Sequence, residues 1–275
     1  MLVDLHMHST ASDGQYTPTE VVRLAKAAGL EIVALTDHDT LAGVPEAVNA
    51  GKRMGITVVP GIELSAAEYH NLHILGYGID WENPALLNLC AAMKRSREAH
   101  NTYIINYLHQ HEVPIELGEV KALAGSGSIG RPHFAQVMVK HGWVKTSREA
   151  FDRYLDTPEY HQVEREKFPA RNCITSILEA GGKPVLAHPY QLQLENDALE
   201  EEVKRLVSYG LAGMECYYPR HTPKQQDFYL YLAEKYSLHA TAGSDFHGEQ
   251  VHPGDKIRPV ALDAEWLLRG KGEAE

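Results

Sequence analysis

The chain has 275 residues, of which 44% are hydrophobic and 23% are charged, and its formal net charge is −11. This length permits one large α/β barrel or two small domains, and the composition is typical of a soluble globular protein. No apolar run of about eighteen residues occurs, so no membrane span is predicted, and so negative a surface disfavours long nucleic acids as partners.

The cysteines and the first residues indicate the compartment. Cys90, Cys173 and Cys216 are odd in number and far apart, which argues against a disulfide framework and for a reducing environment. The first six residues, MLVDLH, lack the basic and apolar regions of a signal peptide. We therefore expect a cytoplasmic protein.

Strand and helix patterns alternate in the first part of the chain. Thr17 is expected to cap a helix, with Pro18 at its first position, Glu20 closing a capping box and Gly29 following its end. A second helix is predicted over residues 41–54, before Gly55. The predicted strands are 2–5, 31–36, 56–60 and 72–77. Such alternation predicts a parallel sheet.

The alternation stops after Trp81. One long helix is predicted over residues 84–110, then a glycine-rich stretch at Gly125–Ser128 and shorter helices near 132–140 and 148–155. Strand patterns are absent from the sequence between 82 and about 165. This region is therefore expected to be a helical insertion that caps the substrate.

The alternation resumes after Pro169. The predicted helices are 170–180, 197–208 and 223–235, and the predicted strands are 184–188, 212–217 and 238–242. Seven strands alternating with helices predict a closed or nearly closed α/β barrel. The expected organisation is barrel over 1–82, helical insertion over 83–165 and barrel over 166–275.

Histidines and carboxylates mark the ends of the predicted strands. His6 and His8 are two residues apart, so both rings can face one centre. Equivalent positions near other strand ends are Asp13, Asp37, His38, Asp39, Glu63, His73, His188, Asp245 and His247. In a barrel of parallel strands these ends converge on one face. Imidazole and carboxylate ligands suit Zn, Mn or Fe.

Each of these residues also has a purely structural interpretation. His73 can be a core histidine bonded to the backbone, Asp37 and Asp39 can cap a helix, and Asp245 can form a turn. These interpretations do not explain the whole set. Buried imidazoles and carboxylates need partners, and metal ions would supply them. The set therefore predicts a metal centre.

Five motifs resemble those of one family. They are Asp4–Ser9 with Asp13-Gly14, Leu35–Asp39, Pro60–Glu63, Ala187–Pro189 and Gly243–His247. Together they resemble the PHP (polymerase and histidinol phosphatase) family. The resemblance implies an α/β fold, a distorted (βα)7 TIM-like barrel with a helical insertion, and two to three divalent metal ions, Mn, Zn or Fe.

The same resemblance implies an assignment of ligands. His6, His8, Glu63 and Asp245 would hold one metal, and Glu63 would bridge to a second metal held by His73 and His188. The third metal would be held by Asp13, His38 and His247. Some family members carry histidine at the position of Asp13. Catalytic roles are expected for Asp245, His38 and His247.

Two further motifs, Gly130–His133 and Tyr218–Pro223, resemble the stand-alone PHP subfamily that acts on nucleoside 3′,5′-bisphosphates and, in some members, on short RNA from its 5′ end. The implied substrate-binding residues are Arg131, His133 and His221. The planar guanidinium of Arg131 suits phosphate, and the adjacent helix start adds backbone donors. A solvent-exposed arginine beside a turn is the alternative interpretation.

The expected reaction is hydrolysis of the 3′-phosphate of a nucleoside 3′,5′-bisphosphate, such as adenosine 3′,5′-bisphosphate to AMP and phosphate. A metal-bound hydroxide would attack phosphorus, since no Gly-x-Ser-x-Gly nucleophile motif occurs. The expected partners are a small phosphorylated nucleotide and short RNA, with no membrane. The open alternatives are a histidinol-phosphate or cyclic-phosphodiester phosphatase, an amidohydrolase, and a metal-binding accessory module without activity.

Overall fold

A computed structural model describes residues 1–124, 129–162 and 166–268. The chain divides into two compact units. We call Met1–Cys90 with Phe168–Glu275 the barrel unit, and Ala91–Lys167 the insertion unit. The glycine-rich stretch Gly125–Ser128 and the insertion end predicted at residue 165 lie outside the described residues.

Among the described residues of the barrel unit, eight strands form one sheet. They are β1 (Leu2–Met7), β2 (Ile32–Leu35), β3 (Thr57–Ser65), β4 (His73–Tyr77), β5 (Lys183–Leu186), β6 (Gly213–Tyr217), β7 (His239–Ala242) and β8 (Val260–Ala261). Their order is β7-β6-β5-β4-β3-β2-β1-β8. A parallel bridge joins Met7 to Phe246, just after β7, so the sheet nearly closes. The prediction of an α/β, TIM-like barrel is confirmed.

The prediction of an all-parallel sheet is wrong at β4, which pairs antiparallel with both β3 and β5. The connection from Ser65 to His73 is too short for the crossover of a dozen or more residues that parallel neighbours need. Because β4 is reversed, its first residue, His73, pairs with Ser65 at the end of β3. The short β8, which pairs antiparallel with β1, was not predicted.

Ten α-helices are described. They are α1 (Pro18–Ala27), α2 (Val44–Met54), α3 (Pro84–Gln110), α4 (Leu117–Ala124), α5 (Arg131–Lys140), α6 (Ser147–Ala150), α7 (Ala170–Glu179), α8 (Asn196–Ser208), α9 (Pro223–Lys235) and α10 (Glu265–Leu268). Shorter turns of π- or 3₁₀-helix are Phe151–Leu155, Tyr160–Gln162 and Pro189–Leu192. None of the helices in the described part of the chain is long and apolar enough to cross a bilayer.

Local sequence signals set the ends of the first two helices. The Thr17 hydroxyl accepts the Glu20 N–H at 3.3 Å, and the Glu20 carboxylate accepts the Thr17 N–H at 2.9 Å, which confirms the capping box. Gly55 ends α2 with φ +65°, a conformation that favours glycine. Apolar residues of α1 and α2, such as Val21 and Ala47, pack against Val33 of β2.

Strand β1 combines apolar and polar buried residues. Val3 and Leu5 belong to the apolar core of the barrel unit, whereas Asp4 and His6 are buried polar residues, and the pairing register of β1 shifts between Asp4 and Met7. The insertion unit has its own core, to which α3 and α5 contribute Leu108 and Phe134. Its described residues form helices and turns without a strand.

Candidate metal centre

Glu63 of β3 is fully buried and lies among five histidine rings. Its Oε2 is 3.2 Å from His6 Nε2, 3.3 Å from His8 Nε2 and 3.0 Å from His38 Nδ1. Its Oε1 is 2.8 Å from His73 Nδ1 and 3.0 Å from His188 Nε2. A carboxylate offers about four lone-pair positions, so hydrogen bonds alone do not account for five rings around it.

The first group of potential ligands combines Glu63 with His6, His8 and Asp245. Asp245 Oδ1 is 3.4 Å from His6 Nε2 and 3.1 Å from His8 Nε2. The backbone of Asp245 is in the left-handed region, with φ +56°, and its N–H donates to the carbonyl of His6 at 2.8 Å. The ligand atoms of the four residues lie within 4.8 Å of one another, close enough to share one ion.

A second group contains Asp13, His38, His247 and His8. Asp13 Oδ1 is 3.4 Å from His247 Nε2, and Asp13 Oδ2 is 3.9 Å from His38 Nε2. The three ligands predicted for the third metal are therefore together. His8 also approaches them, since its Nδ1 is 3.9 Å from Asp13 Oδ1.

The third group joins Glu63 and His73 with His38. His38 therefore lies between two groups, with Nδ1 toward Glu63 and Nε2 toward Asp13. His188, predicted with Glu63 and His73, approaches the same Glu63 oxygen as His73. All nine sequence-predicted ligands thus belong to one cluster on the barrel unit.

Buried polar atoms without a hydrogen-bond partner test whether this cluster fits metal. Among the described residues, such atoms include six in the cluster: His6 Nε2, His8 Nδ1, His8 Nε2, His38 Nδ1, Glu63 Oε2 and His188 Nδ1. Leaving polar atoms buried and unpaired is costly, and divalent cations would satisfy them. The residues present therefore fit a metal centre with nitrogen and oxygen ligands.

The protonation states of Glu63 and His73 also favour cation binding. Burial opposes ionisation of Glu63, but His38 and His6 hold the pKa of this carboxyl well below its usual range. Burial lowers the pKa of His73 to about 4, so its ring is neutral at pH 7. Burial also opposes protonation of His38, but Glu63 and Asp13 raise its pKa to about 10. Metal must displace this proton, so metal affinity is expected to rise with pH.

Sequence reasoning missed Glu215, a fully buried carboxylate in the middle of β6. Its Oε1 is 3.1 Å from His6 Nδ1, and its Oε2 accepts the N–H of His188 at 2.7 Å. His188 has φ +23°, and this hydrogen bond helps to hold its strained backbone. A side chain at Gly243 would collide with both Glu215 and His6, so glycine is required there. A lone glutamate inside an apolar strand was the available signal.

Asp37 and Asp39, two aspartates near the cluster, do not cap a helix. The helix-cap interpretation is therefore wrong for both. Asp37 accepts the Ser9 N–H at 2.7 Å and the Ser12 hydroxyl at 2.6 Å. Asp39 accepts the Ser65 N–H at 2.9 Å. Helix α2 begins later, after Gly43. Asp37 therefore fixes the loop before Asp13, and Asp39 fixes the end of β3, the strand that carries Glu63.

We expect Glu215→Gln to weaken metal binding by roughly 10–100-fold, the usual effect of losing a residue that orients a metal ligand. His6 and His188 contact different oxygens of Glu215, and the glutamine amide places an acceptor at only one of these two positions. Manganese titration of the metal-free variant measures the change. The matched control is Glu200→Gln, because Glu200 is outside the cluster and bonds to Lys235 and Tyr236. Unchanged manganese affinity in Glu215→Gln would contradict the orienting role.

A cavity of about 380 Å³ opens beside the cluster on the barrel unit, lined in part by Asp13, His38, Asp245 and His247. His221 is not among the described residues that line it, and the ring contacts the Cys216 carbonyl at 2.9 Å through Nδ1. The role of His221 in substrate binding remains a prediction.

The other two predicted substrate-binding residues belong to the insertion unit. Arg131 Nη1 donates to Asp156 Oδ1 at 3.1 Å and to the carbonyl of Leu155 at 3.2 Å. His133 Nδ1 accepts the N–H of Gly130 at 3.0 Å. Phosphate binding by Arg131 and His133 remains a prediction.

Comparison with known proteins agrees with this geometry. The PHP domain family matches residues 4–163. The 5′-3′ exoribonuclease of Haemophilus influenzae is 35% identical over 94% of this chain and 97% of its own. The 3′,5′-nucleoside bisphosphate phosphatase of Chromobacterium violaceum is 33% identical over 94% of this chain and 90% of its own. An amidohydrolase structure from Chromobacterium violaceum, solved with sulfate and without metal, superimposes with a TM-score of 0.81 and 30% identity, covering 95% of this chain and 92% of its own.

The barrel and its cluster of histidines and carboxylates define a metal-dependent phosphoesterase. The chain belongs to the PHP domain family.

Proposed function

We propose that this protein hydrolyses the 3′-phosphate of nucleoside 3′,5′-bisphosphates, with short oligoribonucleotides as a further substrate, using two to three ions of Mn, Zn or Fe. The proposal rests chiefly on one observation, the convergence of five histidine rings on Glu63 beside an open cavity. The names of two relatives supply the substrate class, because both describe phosphoesters of nucleosides.

The bound metals would lower the pKa of a coordinated water toward about 7 and neutralise charge on the phosphate. Asp245, His38 and His247 line the cavity, and we propose that they contact the reacting phosphate region. Tyr218 orients Asp245 by donating its hydroxyl to Oδ2 at 2.9 Å. Burial and Asp245 raise the pKa of Tyr218 well above its usual value, so this hydroxyl remains a donor at neutral pH.

A panel of phosphate esters with added Mn²⁺, scored for released phosphate, tests the reaction. It includes adenosine 3′,5′-bisphosphate, histidinol phosphate, a cyclic phosphodiester and p-nitrophenyl phosphate, together with amide substrates. Turnover of histidinol phosphate without turnover of any bisphosphate would contradict the proposed substrate. Turnover of amides alone would favour an amidohydrolase, and full metal binding without any turnover would favour an accessory module.

The predicted phosphate-binding role of Arg131, and with it the predicted cap function of the insertion, has its own test. Arg131→Ala is expected to weaken kcat/KM for adenosine 3′,5′-bisphosphate by roughly 1.5–3 kcal/mol, the range for hydrogen bonds to charged groups. The loss is expected to be smaller for p-nitrophenyl phosphate, which lacks a second phosphate. The control is Arg148→Ala, since Arg148 is an exposed arginine of the same unit. Equal losses on both substrates would contradict this role.

A further inference from the structure

Three basic residues of the barrel unit, Arg220, Lys256 and Arg258, line the same cavity as the potential metal ligands. We propose that they form a subsite for the second phosphate of the substrate, beside the metal centre. This inference rests on the proposed function, because only a substrate with two phosphates needs such a subsite. None of these three residues was predicted from the sequence to bind phosphate.

Two carboxylates hold the loop that carries Lys256 and Arg258. Asp255 Oδ2 accepts the N–H of His247 at 3.1 Å. Asp4 Oδ2 accepts the N–H of Arg258 at 3.3 Å, and Asp4 Oδ1 accepts the N–H of Ser244 at 2.9 Å. The loop is therefore fastened on both sides of Lys256 to the segment that carries Asp245 and His247. The subsite and the metal centre thus share one backbone framework.

Arg220 comes from a different loop that is also fastened to the metal centre. It follows Tyr218, whose hydroxyl bonds to Asp245, and its guanidinium lies beside the Tyr190 side chain. Gln191 Nε2 is 3.4 Å from the Tyr218 hydroxyl, which further fixes this loop. Cations from two loops therefore line one cavity, and both loops are tied to the segment 244–247 that carries Asp245 and His247.

The charges around the cavity favour an anion. The side chains of Arg220, Lys256 and Arg258 are exposed, and among the described residues none of them forms an ion pair with a carboxylate. Of the cavity carboxylates, Asp13 and Asp245 are surrounded by histidines, and Asp255 accepts a backbone N–H. In a chain of net charge −11, unpaired cations at one cavity mark a local site for a negatively charged group.

The dimensions and donor types favour phosphate. A cavity of about 380 Å³ lies in the range of small-molecule sites. Two guanidinium groups supply planar pairs of donors that match phosphate oxygens, and the lysine adds a point charge. The metal centre would act on one phosphate at a time, so the second phosphate needs cations outside the metal ligands. Arg220, Lys256 and Arg258 meet this requirement within the barrel unit.

The test uses the manganese-loaded full chain carrying Lys256→Ala with Arg258→Ala, and separately Arg220→Ala. These side chains are exposed, and the Arg258 backbone bond to Asp4 is kept. We expect the Kd for AMP, measured by calorimetry, to rise roughly tenfold or more. The ratio of kcat/KM for adenosine 3′,5′-bisphosphate to that for p-nitrophenyl phosphate is expected to fall by about the same factor.

The matched control is Lys52→Ala with Arg53→Ala, since both residues are exposed on α2 and neither lines the cavity. The subsite is overturned if the Kd for AMP is unchanged, if the parent protein does not bind AMP, or if both esters lose activity equally. It is also overturned if Arg131→Ala lowers the ratio while the variants of Arg220, Lys256 and Arg258 leave it unchanged. Failure of the parent protein to hydrolyse the bisphosphate would instead reject the proposed function, and AMP binding would still decide the subsite.

Discussion

Replacing Glu63 by alanine is expected to reduce phosphoesterase activity by roughly 10³-fold or more, the upper end of losing one group that stabilises the transition state. The physical reason is that Glu63 is the only described residue whose two carboxylate oxygens contact five of the histidine rings. Without it the rings lose their shared anion, and two of the three potential ligand groups are incomplete. Metal content by elemental analysis and kcat/KM for the best substrate measure the effect.

Two further variants test whether the effect comes from the charge of Glu63 and from its place in the cluster. Glu63→Gln keeps the shape of the side chain but removes its charge, so it is expected to lose metal nearly as completely as Glu63→Ala. Glu82→Ala is the control, because Glu82 is an exposed glutamate of the same unit. If Glu63→Ala retained both its metal and its activity, as the control is expected to do, the central position of Glu63 would be wrong.

Removal of metal is expected to abolish activity and to lower the melting temperature. Binding to the folded state stabilises by about 2.7 kcal/mol at a ligand concentration of 100 Kd, which corresponds to roughly 5–10 °C for a protein of this size. The unpaired buried atoms of the cluster, such as His6 Nε2 and Glu63 Oε2, are the groups that metal would stabilise. Chelation, differential scanning calorimetry and a phosphate-release assay measure both effects.

Adding metal back to the metal-free protein distinguishes a loss of metal from irreversible damage to the protein. Adding Mn²⁺, Zn²⁺ or Fe²⁺ separately to the metal-free protein is expected to recover activity with at least one ion, and equivalents bound per chain should reach two to three. Full activity after exhaustive metal removal would reject the metal-dependent reaction in this protein. Recovery of the melting temperature without activity would show that the ion binds but does not support the reaction.

Much of the barrel could be predicted because its signals are local. Thr17 and Gly55 define helix ends through their own hydrogen bonds and backbone angles. The reversal of β4 could not be predicted from hydrophobic patterns, because parallel and antiparallel buried strands share the same run of apolar residues. The short connection before His73 was the one available signal.

Part of the candidate site could also be predicted from local signals. His6, His8 and Asp245 lie near strand ends, and a barrel brings such strand ends together on one face. The placement of His38 between two ligand groups depends on the three-dimensional positions of Glu63 and Asp13. Glu215 and Arg258 were not predicted because their hydrogen-bond partners are distant in sequence, as in the bonds from Glu215 to His6 and from Arg258 to Asp4.

Closure of the barrel and the geometry of the metal centre depend on the same backbone hydrogen bonds. His8 donates its N–H to the Phe246 carbonyl at 2.9 Å, and Asp245 donates its N–H to the His6 carbonyl at 2.8 Å. This seam joins the first strand to the chain that follows β7, and three residues of the seam are potential metal ligands. Any opening of the seam would therefore scatter the ligands, and any bound ion would resist that opening. Solvent exchange at the His8 and Asp245 amides thus reports on metal occupancy from the backbone itself.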